Sequence, residues 1–162
     1  MLFTTIEFLV FFVFVISVIS TIRYRKFQHT LLLSASYFFF FFSSNYLLAL
    51  LIFSTLLDFY AGRAIWNNKN IRTKKIILAL SLVGNIGLLG FFKYADFGIA
   101  QLNSFGNLLG FGPEIPLLNI VLPIGISFYT FQSMSYTIDI YRGKLEPSKS
   151  LGEFALFVAF FP

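Results

Sequence analysis

Five apolar runs, residues 2–22, 30–42, 46–62, 76–92 and 122–141, alternate with short clusters of lysine and arginine. No other feature restricts the fold as much. As a helix the first run would be about 31 Å long, enough to cross a hydrocarbon core of about 30 Å. The chain is 57% hydrophobic and 12% charged, against about 25% charged in soluble domains. A water-soluble fold of that composition would expose large apolar patches. The pattern predicts an all-α, polytopic transmembrane protein with about five spans and the start of a sixth from residue 151, where the chain is expected to be cut short. Glu7 is the sole early charge and the cations follow the first run, so that run reads as a retained span rather than a cleaved signal.

Residues 30–62 are the ambiguous stretch. One helix over this range would be about 50 Å long, well beyond a bilayer core, and Ser43, Ser44 and Asn45 interrupt it at the middle. Two helices joined there are expected. Charge gives an independent argument. With two crossings, the clusters Arg23/Arg25/Lys26, Arg63/Lys69/Arg72/Lys74/Lys75 and Arg142/Lys144/Lys149 fall on one side, and only Lys93 lies opposite. The positive-inside tendency makes that side the cytoplasm and the N-terminus extracytoplasmic. The net charge of +5 then reflects topology, and no nucleic-acid partner is needed to account for it.

Between residues 95 and 121 the sequence is neither a span nor an ordinary loop. Asp96 can cap a short helix, and Ile99, Leu102, Phe105 and Leu109 recur at helical spacing until Gly110, Gly112 and Pro113. A helix lying in the outer membrane interface is expected. Gly84, Gly87 and Gly90 share a stripe suited to close helix approach, with Asn85 hydrogen-bonding across the same contact. Ser127, Gln132, Ser133 and Ser135 supply polar positions within the fifth run, for which interhelical hydrogen bonds are the simplest use. Tyr129, Tyr136 and Tyr141 suit either an acyl-facing surface or plain membrane aromatics, and Tyr60 and Trp66 suit the cytoplasmic interface. The chain has no cysteine and one histidine, so neither a metal centre nor a thiol-bound intermediate is expected.

The most specific stretch is LPIGISFYTFQSMSYTIDIYRG, residues 122–143, an apolar aromatic run ending in Asp139, Tyr141, Arg142 and Gly143. An acid in a span normally faces protein or a water-filled cavity. This stretch, GNIGLLGFFKY at residues 84–94 and FVAFFP at 157–162 together resemble the membrane-bound O-acyltransferases, in the branch of the alginate O-acetylation proteins. The resemblance implies many tilted helices around a funnel. It also implies transfer of an acyl group from a thioester donor, such as acetyl-CoA, to a hydroxyl acceptor on a surface polysaccharide or a periplasmic acetyl-transfer partner, in the cell (inner or plasma) membrane.

The resemblance further implies an essential histidine in a later span. Hydroxyl attack on a thioester needs a base within hydrogen-bond reach, and the one histidine here, His29, falls in the first basic loop. No catalytic residue is therefore expected in residues 1–162, and this chain alone is expected to be inactive. Candidate funnel or structural polar residues are Asp58, Arg63, Gln132, Asp139, Tyr141 and Arg142. Asp139, Tyr141 and Arg142 match the family's D-x-Y-R-G pattern, either shaping the donor side of the funnel or fixing a charge-paired helix end. Asp58 and Arg63 are too far apart in register for a same-helix pair, so crossed pairs, Asp58 with Arg142 or Asp139 with Arg63, are expected. A non-enzymatic membrane module or a transporter fragment is the competing reading. Transporters often show paired, broken spans in two related halves, and the break at Ser43–Asn45 has no matching counterpart here.

Overall fold

The computed structural model describes residues 6–22, 24–44, 48–110, 115–120 and 125–160. Among them are six helices and no strand: α1 (Ile6–Thr21), α2 (Arg25–Ser44), α3 (Leu48–Asn67), α4 (Ile71–Leu108), α5 (Ile126–Tyr141) and α6 (Leu151–Ala159). The expected break in residues 30–62 is present: α2 ends at Ser44 and α3 begins at Leu48. The helices extend into the basic clusters, so Arg25, Lys26, Arg63, Arg72, Lys74 and Lys75 sit on helix ends. His29 is likewise an exposed residue of α2 and not of a loop. Long cationic side chains can bury their stems and keep their heads in water, which lets a helix continue past its apolar stretch. Asn70 starts α4, its Oδ1 accepting from the Arg72 N–H at 2.9 Å.

α3 and α4 are long and apolar enough to cross a membrane. Among the described residues α1 and α5 have 16 residues each, about 24 Å of helix.

α4 departs from expectation. It runs unbroken for 38 residues, about 57 Å, through Lys93, Gly98 and Gly106, where a span was expected to end and a separate interfacial helix to begin. Asp96 is not a cap. From within the helix its carboxylate accepts the backbone N–H of Leu118 at 2.7 Å and of Ile120 at 3.0 Å. About two turns further along, Asn103 accepts from the Ile115 N–H and donates to the Ile115 carbonyl. Residues 115–120 are thus fastened along the C-terminal half of α4. The helix closes at Leu109, followed by Gly110 at φ +72°, a conformation that costs glycine little.

The main core lies between α3, α5 and α6, built on Leu51, Phe59, Ile65, Tyr129, Tyr136, Ile140 and Phe154. The Phe154 ring lies 4.2 Å from that of Tyr136 and 6.1 Å from that of Phe59. Among the described residues α1 packs on α2 alone of the helices, through Val15 and Phe39. α3 and α5 approach closely at Gly62, where an added Cβ would lie 2.8 Å from Ile140 Cδ1 and 3.0 Å from Tyr136 Cε1. Of the expected glycine stripe, Gly84 takes part in a close contact of α4 with α3, an added Cβ lying 3.2 Å from Leu57 Cδ2, while a Cβ at Gly87 or Gly90 would meet nothing within 4 Å.

Candidate functional site

Three helices each contribute a pair of polar residues four apart, and therefore on one face, to a single buried cluster. α3 supplies Ser54 and Asp58, α4 supplies Ser81 and Asn85, and α5 supplies Ser133 and Thr137; none is more than 3% exposed. Asp58 is at the centre. Its Oδ1 accepts from the Ser81 hydroxyl and its Oδ2 from the Ser133 hydroxyl. The Asn85 amide donates to both carboxylate oxygens at 2.9 Å. Asn85 is itself oriented by the Ser54 hydroxyl, which donates to its Oδ1 at 2.6 Å, and by its own bond to the Ser81 carbonyl at 3.1 Å. The Thr137 hydroxyl also faces the carboxylate.

Every strong acceptor position on Asp58 is thus occupied by a neutral donor. Such an arrangement ties α3, α4 and α5 together and makes the carboxylate an acceptor held in place. It does not offer a base with a free lone pair for proton abstraction. The expected interhelical roles of Asn85 and Ser133 are met here, although the acid they serve was expected to meet a cation.

The other candidate residues lie elsewhere, and the six do not form one site. The expected crossed ion pairs are not formed. Asp58 is enclosed by hydroxyls and an amide, while Arg63 donates from Nη2 to the Lys149 carbonyl at 2.9 Å with its guanidinium carbon 4.6 Å from the centre of the Phe59 ring. Arg63 therefore anchors the segment after α5 to the end of α3, helped by the Ser148 N–H donating to the Tyr136 hydroxyl at 3.0 Å. Gln132 donates to the Phe157 carbonyl at 2.7 Å, linking α5 to α6 beside a groove of about 600 Å³ that also includes Phe128, Glu153 and Leu156. Ser135 bonds within its own helix, to the Gln132 carbonyl.

Asp139, Tyr141 and Arg142 belong to the end of α5. Asp139 and Tyr141 are half-buried and Arg142 is exposed. The D-x-Y-R-G sequence has a backbone explanation. Gly143 has φ +71°, its N–H bonds to the Ile140 carbonyl, and the Lys144 N–H bonds to the Asp139 carbonyl at 2.9 Å. These two bonds form a Schellman closure, in which glycine takes the left-handed position. Among the described residues no three histidine, cysteine or acidic side chains gather where they could hold a metal.

Buried polar contacts between apolar helices, with cations at the helix ends, define a helical protein of the membrane type. Its relatives give the particular group. The chain is 39% identical over 140 residues to a protein of Pseudomonas syringae pv. tomato named "Probable alginate O-acetylase AlgI", covering 85% of this chain and 27% of that protein. It is 40% identical over 139 residues to the protein of the same name from Pseudomonas aeruginosa, covering 85% and 26%. It is also 30% identical over 139 residues to the "Peptidoglycan O-acetyltransferase" of Helicobacter pylori, covering 71% and 25%. No family model and no solved structure matches. The chain belongs with the alginate O-acetylases, the branch of membrane-bound O-acyltransferases that its motifs resemble, and spans about a quarter of the length of these relatives.

Proposed function

We propose that this chain is the N-terminal part of a membrane-bound O-acetyltransferase for a cell-surface polysaccharide. The similarity to proteins named alginate O-acetylase over 85% of the chain is the observation that carries this reading. In the complete enzyme an acetyl group passes from a thioester donor, such as acetyl-CoA at the cytoplasmic face, toward a polysaccharide acceptor or a periplasmic acetyl-transfer partner. The chain crosses the cell membrane about five times with its N-terminus outside. The clustering of every lysine and arginine except Lys93 on one side of that arrangement supports it.

The share of the work done by residues 1–162 is architectural. The Asp58 cluster sets the relation of α3, α4 and α5, and Arg63, Tyr136 and Gln132 seat the following segment and α6 against them. The base needed for hydroxyl attack comes from a histidine beyond Pro162, because His29 is exposed at the start of α2 and no acid bonds to it among the described residues. The chain alone is inactive.

The test is complementation in the source cell. Deleting the gene should remove most ester-linked acetate from the surface polysaccharide. The intact gene should restore it, and a gene encoding residues 1–162 alone should not. Unchanged polysaccharide acetate in the deletion strain would rule out this function.

A further inference from the structure

Asp58 fixes the relative depth of three helices, because Ser81 of α4 and Ser133 of α5 both donate to its carboxylate. Nine residues on from Asp58, α3 ends at Asn67; nine residues back from Ser81 lies Arg72, and nine on from Ser133 lies Arg142. At about 1.5 Å per residue all three stand about 14 Å from the cluster. They stand on the same side of it, since Gly62 lies against Tyr136 and Ile140 and residues 68–70 alone join α3 to α4. Packed helices run about 8–10 Å apart. One end of the bundle therefore gathers Lys69, Arg72, Lys74, Lys75, Arg142 and Lys144, against Asp139 and Glu146. All of these cations but the half-buried Lys74 are exposed, and among the described residues none is engaged in an ion pair.

The depth of this patch decides what it meets. Lys75 and Lys93 are eighteen residues apart on α4, about 27 Å, close to the thickness of a hydrocarbon core. With α4 as a crossing, the cations stand at headgroup level. Trp66 and Ile71, both exposed, flank Lys69 in the chain, and tryptophan favours that level. The turn between α3 and α4 does not project beyond it. The Asn68 Oδ1 accepts the Asn70 N–H at 3.2 Å and the Asn70 Oδ1 accepts the Arg72 N–H at 2.9 Å, which holds residues 68–70 against the helix ends. A soluble acidic protein would need cations that stand clear of the bilayer. Here they lie level with apolar and aromatic side chains.

We propose that Lys69, Arg72, Lys75 and Arg142, at this end of the bundle, bind the headgroup of an anionic phospholipid in preference to the zwitterionic lipid around it. Arg72 and Lys75 are three residues apart and so lie on one face of α4. Arginine can hold a phosphate through two parallel N–H bonds, and lysine holds it as a point charge. Basic clusters beside a span attract anionic lipid. A zwitterionic headgroup brings its own cation, which the same side chains repel. The proposal rests on α3 and α4 as membrane crossings and does not depend on the acyltransferase reading.

Trp66 is the one tryptophan of the chain and lies beside the patch, so its fluorescence reports which lipid is next to it. The experiment places the intact protein in nanodiscs of mixed phosphatidylcholine and phosphatidylglycerol, one or the other carrying brominated acyl chains that quench tryptophan. The expected result is a preference for phosphatidylglycerol of at least about fivefold, the effect of a single cation near an anionic surface. Lys69→Gln/Arg72→Gln/Lys75→Gln/Arg142→Gln should abolish the preference. Arg72→Lys, which keeps the charge, should retain it, and so should Lys93→Gln at the other end of the span. Inorganic phosphate equimolar with the lipid should leave it unchanged. Equal quenching by the two lipids in the parent, or a preference that survives the fourfold variant, would overturn the proposal. Such quenching by both would still place Trp66 at the bilayer and leave the crossings standing. A preference erased by phosphate would assign the patch to a soluble anion and overturn the proposal as well. Quenching in pure brominated phosphatidylcholine, equal for every variant, reports that Trp66 keeps its place.

Discussion

Replacing Asp58 by leucine is expected to destabilise the bundle by about 3–5 kcal/mol, measured by unfolding in mixed micelles. The estimate turns on what happens to the donors left behind. Interhelical hydrogen bonds in membranes average only about 0.6 kcal/mol each by double-mutant cycles, which would give about 2 kcal/mol for the contacts around Asp58. A buried donor left without a partner costs about 1–3 kcal/mol. Ser81, Ser133 and Asn85 are at most 2% exposed, so nothing outside the protein can replace the carboxylate, and the larger figure governs. Two companion variants separate the causes. Asp58→Asn keeps the shape and one acceptor oxygen and should lose about half as much. Removing the stranded hydroxyls together with the acid, as Asp58→Leu/Ser81→Ala/Ser133→Ala, should recover part of the loss, because a polar group and its partner removed together leave less unsatisfied. An Asp58→Leu protein within about 0.5 kcal/mol of the parent, the range of a neutral surface change, would show that the cluster does not hold the helices together.

The second large effect is expected at Gly62. A leucine there must displace both Ile140, 2.8 Å from the added Cβ, and the ring of Tyr136 at 3.0 Å. Ile140 Cδ1 is the end of a flexible chain and can move. Tyr136 cannot move easily, since its hydroxyl accepts the Ser148 N–H and its ring packs on Phe154. Overpacking of this kind costs about 1–3 kcal/mol, occasionally more. The same change at Gly90, which has open space around it, should stay within about 0.5 kcal/mol of the parent. Equal losses at both positions would mean that the α3–α5 contact does not control the outcome, since leucine is the better helix former and propensity alone gives no loss.

These two residues also mark what the sequence makes legible. The helix order, the break near Ser43–Asn45 and the importance of Asp58 could all be read from apolar runs, charge placement and the cost of an acid among apolar residues. The partners of Asp58 could not. Ser54, Ser81 and Thr137 are ordinary small polar residues, and only the shared four-residue spacing with Asp58, Asn85 and Ser133 hints at a common face; which faces meet is decided by packing. Gly62 was hidden for the same reason. Of the three glycines in one stripe Gly84 meets Leu57 and the other two meet nothing within 4 Å, while the tighter approach, of α3 to α5, falls on the single glycine beside Arg63. Asp96 looked like a helix start because acids favour that position. Its carboxylate is taken instead by the N–H groups of Leu118 and Ile120, a contact across more than twenty residues that local pattern cannot reveal. The D-x-Y-R-G sequence drew attention to its charges, whereas the hydrogen bonds seen there are backbone bonds made possible by Gly143.

In the proposed arrangement α3 and α4 are consecutive crossings joined on the cytoplasmic side by residues 68–70. Cysteines placed singly at Asn68 and at Gln101 in the cysteine-free chain, treated in intact cells with an impermeant thiol reagent, test this most directly. The expected result is labelling of Gln101→Cys from outside, with Asn68→Cys labelled only after the membrane is opened. Labelling of Asn68→Cys in unopened cells would contradict this arrangement of the helices.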